Sequence, residues 1–134
     1  MKSNENINEA AAKKTLGEYA DSVGEDDVDN VMDKEDEIKK LFKRVNVLAK
    51  YFKDMCEIFE LLRARVTDIY KETPWRTVAA LTGALIYVLA PIDMIFDFIP
   101  IVGYIDDAFV IGLALELAKP DLEKYRAWKT ERRR

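Results

Sequence analysis

Four aspartates lie in the most apolar part of the chain and are the residues best placed to do chemistry: Asp93, Asp97, Asp106 and Asp107. Carboxylates in apolar surroundings are costly unless they are capped, paired or bound to a metal. Because the chain has no histidine, a cation site here would use oxygen ligands alone, which suits Mg²⁺ or Ca²⁺. The four acids are therefore candidate ion- or partner-binding residues, and they define no firm metal site.

The same aspartates also have structural interpretations. Asp93 follows a proline and could N-cap a short helix, whereas Asp106 and Asp107 precede an apolar run, where the helix dipole favours an acid. Asp97 would share a helical face with Asp93 and place two like charges together. Pairing with arginines such as Arg76 is a further alternative to metal binding.

The residue types limit the classes of enzyme that this chain could be. Without histidine, Ser-His-Asp and Cys-His catalysis and the usual zinc sites are excluded. The single cysteine, Cys56, lies on an apolar stripe and is predicted to be a buried small hydrophobe. It permits no intramolecular disulfide, so a reducing compartment is expected. We predict no catalytic residues, and the composition favours a non-enzymatic module.

An apolar helical hairpin over residues 73–118 positions the aspartates. The run 77–92 is uncharged over 16 residues and predicts a helix buried on most sides, which stops at Pro91. A tight turn follows to Gly103, and a second apolar helix is expected from Tyr104 to Ala118 before Pro120 ends it. Both helices meet at the turn, so their acids should converge at one end of the hairpin.

The remaining segments are zoned by charge. Residues 1–34 are acidic and polar and are predicted to be a disordered tail, or an acidic arm that docks on the basic segment of the chain. Residues 35–72 carry apolar positions at helical period and predict a long amphipathic helix, or helices separated by a break. Thr73 is expected to N-cap the following helix, with Pro74 as its first residue. Residues 119–134 predict a separate basic C-terminal helix.

These elements predict an all-α fold: a small helical bundle around an apolar helical hairpin, with a long amphipathic helix and a disordered acidic tail. The expected folded domain spans residues 35–134. The N-terminus, MKSNENINEA, has no positively charged n-region followed by an apolar run, so no secretory signal is expected there.

The hairpin resembles the YkvA-like family, a bacterial domain of unknown function. The matching signature is a tyrosine, Pro-Ile-Asp, Asp-Phe-Ile-Pro, Gly-Tyr and a double Asp, within residues 73–118. In this chain the supporting turn residues of that signature are Tyr87, Pro91, Pro100, Gly103 and Tyr104. The family usually has proline before its second Asp, where this chain has Phe96. The resemblance implies a small, often membrane-associated helical domain and no known activity.

Membrane association or protein–protein interaction is the function that the sequence favours. A spanning helix needs about 20 apolar residues, and neither hairpin helix is that long. Basic segments flank the hairpin and favour an anionic membrane surface or a partner helix, whereas nucleic-acid binding is not favoured. We expect a cytoplasmic protein or one peripheral on the inner face of the cytoplasmic membrane. Integral insertion of the hairpin is an alternative, as is an oligomer. The alternative function is a divalent-cation-binding domain or an enzyme that uses the Asp cluster of the hairpin turn. Trp75 and Trp128 could be interface anchors or packing residues.

Overall fold

The computed structural model describes the backbone of residues 2–44, 46–93 and 107–132 and the side chains of residues 10–44, 48–89 and 108–132. Within these ranges the chain is helical and contains no strand. The helices are α1 Lys2–Ser22, α2 Glu25–Asp33, α3 Glu35–Arg44, α4 Asn46–Ala49, α5 Phe52–Val66, α6 Trp75–Asp93 and α7 Asp107–Arg132. The predicted all-α bundle is confirmed.

Helix α6 lies at the centre of the bundle. It packs against α1, α2 and α7, and its residues from Thr77 to Leu85 are all buried. The lack of charge over 77–92 explains this position, because a helix that is apolar all round loses least by burying every face. The prediction of a buried first hairpin helix is confirmed, although α6 continues through Pro91 to Asp93.

The prediction of a disordered tail over residues 1–34 is wrong for the described residues. Helices α1 and α2 cover most of this segment and belong to the same core as α6. Ala12, Leu16 and Tyr19 repeat at helical spacing along α1 and are buried, as is Val23 directly after its end. The polar majority of the segment stays in water, while this narrow stripe covers α6 and offsets the ordering entropy.

The acidic arm described as the alternative does contact the basic segment. Glu25 of this arm pairs with Arg65, so the start of α2 lies against α5. Within the segment 35–72, Glu35 pairs with Arg63, so the start of α3 also lies against α5. These pairs are exposed, and each contributes about 1 kcal/mol or less to stability. Apolar burial therefore holds the N-terminal helices in place, and the ion pairs favour one alignment of these helices along α5.

The amphipathic segment 35–72 forms separate helices, as the second of the two predicted arrangements expected, and no single long helix. The turn at Lys50 and Tyr51 separates α4 from α5, and α3 packs back against α5. Helix α5 ends at Val66, earlier than the expected stop at Thr73. Thr73 does not cap α6: its hydroxyl is buried and has no hydrogen-bond partner among the described residues, while the Pro74 carbonyl accepts from the N–H of Val78.

The prediction that Pro120 ends the second hairpin helix is also wrong. Helix α7 runs through Pro120 to Arg132, so residues 119–132 continue it and form no separate helix. A proline inside a helix removes the bond to the carbonyl four residues earlier. That carbonyl belongs to Glu116, and both Glu116 and Pro120 are exposed, so water can satisfy the carbonyl oxygen.

Candidate functional site

The candidate aspartates lie at and beyond the ends of the hairpin helices. Asp93 is the last residue of α6 and Asp107 is the first residue of α7. The two helices pack on each other, and the Thr77 hydroxyl near the start of α6 donates to Asp121 in the middle of α7. This contact indicates an antiparallel pair, in which the backbones of Asp93 and Asp107 lie at the same end.

Most of the predicted turn lies outside the described residues. This applies to Asp97 and Asp106 and to the supporting residues Pro100, Gly103 and Tyr104. For Asp93, Asp107 and Pro91 the structure describes the backbone alone. Binding of an ion or a partner by these acids therefore stays a prediction.

Tyr87 is the one supporting residue whose side chain is described. It is half-buried on α6, and its ring meets the ring of Tyr19 edge-on, with centroids 5.5 Å apart. Such a contact adds about 0.5–1.5 kcal/mol beyond the area that it buries. Tyr87 thus packs the end of α1 against α6.

Within the described ranges, no three acidic or cysteine side chains gather closely enough to hold a metal ion. In the same ranges, no helix is both long and apolar enough to cross a membrane.

An aromatic cluster lies at the other end of the bundle, away from the aspartates. Tyr70 contacts Tyr125 and Trp128 at centroid distances of 5.2 and 4.9 Å, and the rings of Tyr125 and Trp128 stack at 5.7 Å. Tyr70 and Tyr125 are buried. The cluster fixes the segment after α5 against the C-terminal half of α7, so it also positions the side chains that this segment exposes to solvent.

Charged groups of α5 and α7 surround this cluster. The Tyr125 hydroxyl donates to a Glu60 carboxylate oxygen at 3.2 Å, and Lys129 Nζ donates to the same oxygen at 2.7 Å. Arg126 holds Glu57 through two guanidinium nitrogens. Burial, together with the negative charge of Glu60, raises the pKa of Tyr125 to about 12.

The segment that joins α5 to α6 displays apolar side chains to solvent. Val66 is 41% exposed, Ile69 56% and Trp75 38%. Of the described residues, only two further large hydrophobics are as exposed, Phe109 and Leu117, and both lie on α7. Val66 and Ile69 are among the apolar positions at helical period in residues 35–72, which predicts that both are buried. That prediction is wrong, because α5 ends at Val66 and both side chains are exposed.

The backbone at the end of α5 explains why these side chains point outward. Asp68 adopts a left-handed conformation with φ 62°, and the N–H groups of Ile69 and Tyr70 both bond the carbonyl of Ala64. Aspartate tolerates this region better than most residues. The reversal turns Tyr70 into the aromatic cluster and leaves Ile69 in solvent.

Cations lie beside the exposed apolar residues. Val66 lines a surface cavity with two bases, Arg65 and Lys71, and three acids, Glu25, Asp29 and Asp68. Ile69 lines another with three bases, Arg63, Lys129 and Arg132, and one acid, Glu60. The guanidinium of Arg65 lies over the Trp75 ring, 5.2 Å from its centroid. Lys71 makes no ion pair with any described residue. We call Val66, Ile69, Lys71 and Trp75 the connector patch.

Sequence reasoning missed the connector patch as a unit. The sequence allowed Trp75 to be either an interface anchor or a packing residue. It assigned Val66 and Ile69 to the buried stripe and gave Lys71 no role. The signal that could have found them is the composition of residues 63–76, where Arg63, Arg65, Lys71 and Arg76 accompany only two acids.

The fold and its surfaces define a small helical domain, and comparison with known proteins places that domain in a family. A family model described as a protein of unknown function, DUF1232, matches residues 77–113, which cover most of α6 and the start of α7. The uncharacterized membrane protein YkvA of Bacillus subtilis (strain 168) is 34% identical over 93 residues, 69% of this chain and 87% of that relative.

The chain therefore belongs to the YkvA-like, DUF1232 family, as the hairpin signature predicted. No solved structure matches the chain.

Proposed function

We propose that this protein is a non-enzymatic helical module that binds the surface of an anionic membrane, peripherally and on its cytoplasmic face, through the connector patch. The observation that carries this proposal is the exposure of three large apolar side chains, Val66, Ile69 and Trp75, each beside basic residues. Large apolar side chains that face water beside cations are typical of surfaces that enter a lipid headgroup region.

The apolar members of the patch supply the insertion energy. Full burial of a valine or isoleucine side chain gains about 1.5–3 kcal/mol, so Val66 and Ile69 together could hold the domain reversibly at the interface. Trp75 suits the headgroup depth, because its ring is apolar and its indole N–H still finds a polar partner there.

The charges supply the preference for anionic lipid. Residues 63–71 carry three bases and one acid, and the C-terminal residues 119–134 carry seven bases and three acids. Each lysine or arginine near an anionic surface adds about 1 kcal/mol of attraction. Arg63, Arg65 and Lys129 are already paired with glutamates, so we expect Lys71 to contribute more than they do.

The family supports a role at a membrane in general terms. The Bacillus subtilis relative is named an uncharacterized membrane protein. Peripheral attachment agrees with that name without requiring a spanning helix.

Flotation with lipid vesicles tests the proposal. We expect the full-length chain to float with vesicles that contain phosphatidylglycerol, to float less with pure phosphatidylcholine, and to be released by salt. Ile69→Asp should weaken vesicle binding by about tenfold or more, since it loses apolar insertion and adds like charge.

Phe109→Asp is the matched control, because Phe109 is also exposed but lies on α7 towards the opposite end of the hairpin. Vesicle binding by this variant should equal that of the unaltered chain. Loss of binding in Phe109→Asp with retention in Ile69→Asp would show that the turn end enters the membrane, and the connector patch would be rejected.

A divalent-cation site at the hairpin turn is the second candidate function. It is favoured by the antiparallel packing of α6 and α7, which brings the backbones of Asp93 and Asp107 to one end. Mg²⁺, Ca²⁺ or Mn²⁺ should then raise the melting temperature of the unaltered chain, because a ligand that binds only the folded state stabilises it. The double variant Asp93→Asn, Asp107→Asn should lose that rise. Equal melting with and without the cations would end this alternative.

A further inference from the structure

We propose that a groove between α1, α6 and α7 binds the hydrocarbon chain of a single-chain anionic amphiphile, of which a fatty acid is the simplest case, with Arg76 at its headgroup. This inference concerns a surface separate from the connector patch and does not depend on vesicle binding.

The groove is apolar and of a suitable size. Its volume is about 590 Å³, within the range of roughly 300–1,000 Å³ that small-molecule sites occupy. The apolar part of its wall is formed by all three helices: Leu16, Gly17, Ala20, Ala80, Leu113 and Leu117. Small residues from α1 and α6 keep the space open, and a Cβ built on Gly17 would have no atom within 4 Å.

Helices α1 and α6 touch beside the groove. A Cβ on Gly83 would lie 3.1 Å from the backbone nitrogen of Ala20, and Ala20 is itself part of the groove lining. Gly17 and Ala80 line the wall, and Lys13 and Arg76 are the two bases of the lining.

The charges of the lining suit an anion. Arg76 is exposed and makes no ion pair with any described residue. Lys13 adds a second positive charge, and Glu116 is the acid of the lining. A carboxylate headgroup could bond the Arg76 guanidinium in a bidentate manner while its alkyl chain lies along the apolar wall. A neutral or cationic headgroup would gain nothing from Arg76.

The shape favours an alkyl chain over a second helix. Of the residues that line the groove, Leu117 is the one large hydrophobic with more than a third of its surface exposed. A docked helix covers a stripe at least 100° wide around its own axis and needs several such contacts. A surface groove with an apolar wall, two bases and one acid in its lining is complementary to a flexible chain with a single anionic head.

Titration calorimetry of the full-length chain with decanoate, below its micellar concentration, tests the inference. We expect saturable binding with one molecule per chain and weaker binding of decanol, which lacks the charge. Gly17→Leu fills open space and should weaken decanoate binding by about tenfold or more. Arg76→Gln should weaken decanoate by about fivefold or more and leave decanol unchanged.

Ala49→Leu is the matched control, since it adds bulk at an exposed helical position of α4, away from the groove; it should bind decanoate like the unaltered chain. Absence of saturable decanoate binding, or equal binding by Gly17→Leu with an unchanged circular dichroism spectrum, overturns the inference. So does a dimer that Gly17→Leu dissociates, because a second copy would then cover the groove. Ile69→Asp should keep decanoate binding, so failure of the groove and failure of the connector patch are distinguishable.

Discussion

At the scale of single residues, Tyr125 joins three features of the α5–α7 contact. Its ring lies in the aromatic cluster with Tyr70 and Trp128, its hydroxyl donates to Glu60, and its side chain is buried. An ionised phenolate there would face a carboxylate in poorly solvated surroundings. The neutral form is therefore the form that the folded state favours.

Tyr125 should make the stability of the protein fall at high pH. Burial and Glu60 raise its folded-state pKa to about 12, whereas an unfolded tyrosine titrates near about 10. Its contribution to stability is therefore complete below about pH 10 and is lost as the pH rises from about 10 to about 12. Urea unfolding across this window should show a shallower decline for Tyr125→Phe. An identical decline in both proteins would contradict this assignment.

At the scale of elements, the crossing of α1 over α6 depends on Gly83. Its Cα lies so close to α1 that an added Cβ would meet Ala20 N at 3.1 Å and the Tyr19 carbonyl carbon at 3.2 Å. A larger side chain must push the two helices apart. The docking of the N-terminal helices therefore rests on a glycine that the sequence did not single out.

We predict that Gly83→Val lowers the free energy of unfolding by about 2 kcal/mol, since it overpacks a backbone contact. Gly17 is the matched control, because it lies on the same interface with free space around it. Gly17→Ala should raise stability by about 0.5–1 kcal/mol through its better helix propensity. Urea unfolding followed by far-UV circular dichroism measures both. If Gly83→Val were as stable as Gly17→Ala, α1 would not pack as described.

The elements also show which parts of the fold could be predicted from the sequence alone. The long uncharged run of α6 is unambiguous, so the hairpin, its antiparallel ends and the all-α class were predictable. Helix α1 was missed because its few buried residues, one of them the small Ala12, lie within a strongly polar segment. Such a short apolar stripe becomes buried only because the surface of α6 packs against it. Pro120 was wrongly predicted to end the helix. The free-energy cost of a proline inside a helix depends on whether solvent reaches the carbonyl four residues earlier, which the sequence does not show.

The candidate site could be predicted only in part for a similar reason. Periodicity assigned Val66 and Ile69 to a buried face because it assumed that the helix continued. The left-handed Asp68 ends that continuity, and aspartate at this position carries no clear signal in the sequence. The family signature drew attention to the hairpin turn, whereas the connector patch lies at the opposite end of the hairpin.

At the scale of the whole molecule, the bundle has two chemically different ends. At one end α6 ends at Asp93 and α7 begins at Asp107. The other end carries the aromatic cluster, the connector patch and the basic C-terminal half of α7. If the connector patch binds lipid as proposed, we expect this difference to orient the domain with its basic end towards an anionic surface.

The depth of Trp75 in the membrane tests the central claim most directly. The chain has two tryptophans, so Trp128→Phe leaves Trp75 as the only indole while keeping a ring in the aromatic cluster. With phosphatidylglycerol vesicles, the emission of Trp75 should shift to shorter wavelength and be quenched by lipids brominated near the headgroup end of the chain. The account predicts both changes, and their loss in Ile69→Asp. If the variant binds the vesicles while Trp75 emits as it does in water, the connector patch does not face the membrane and the account is contradicted.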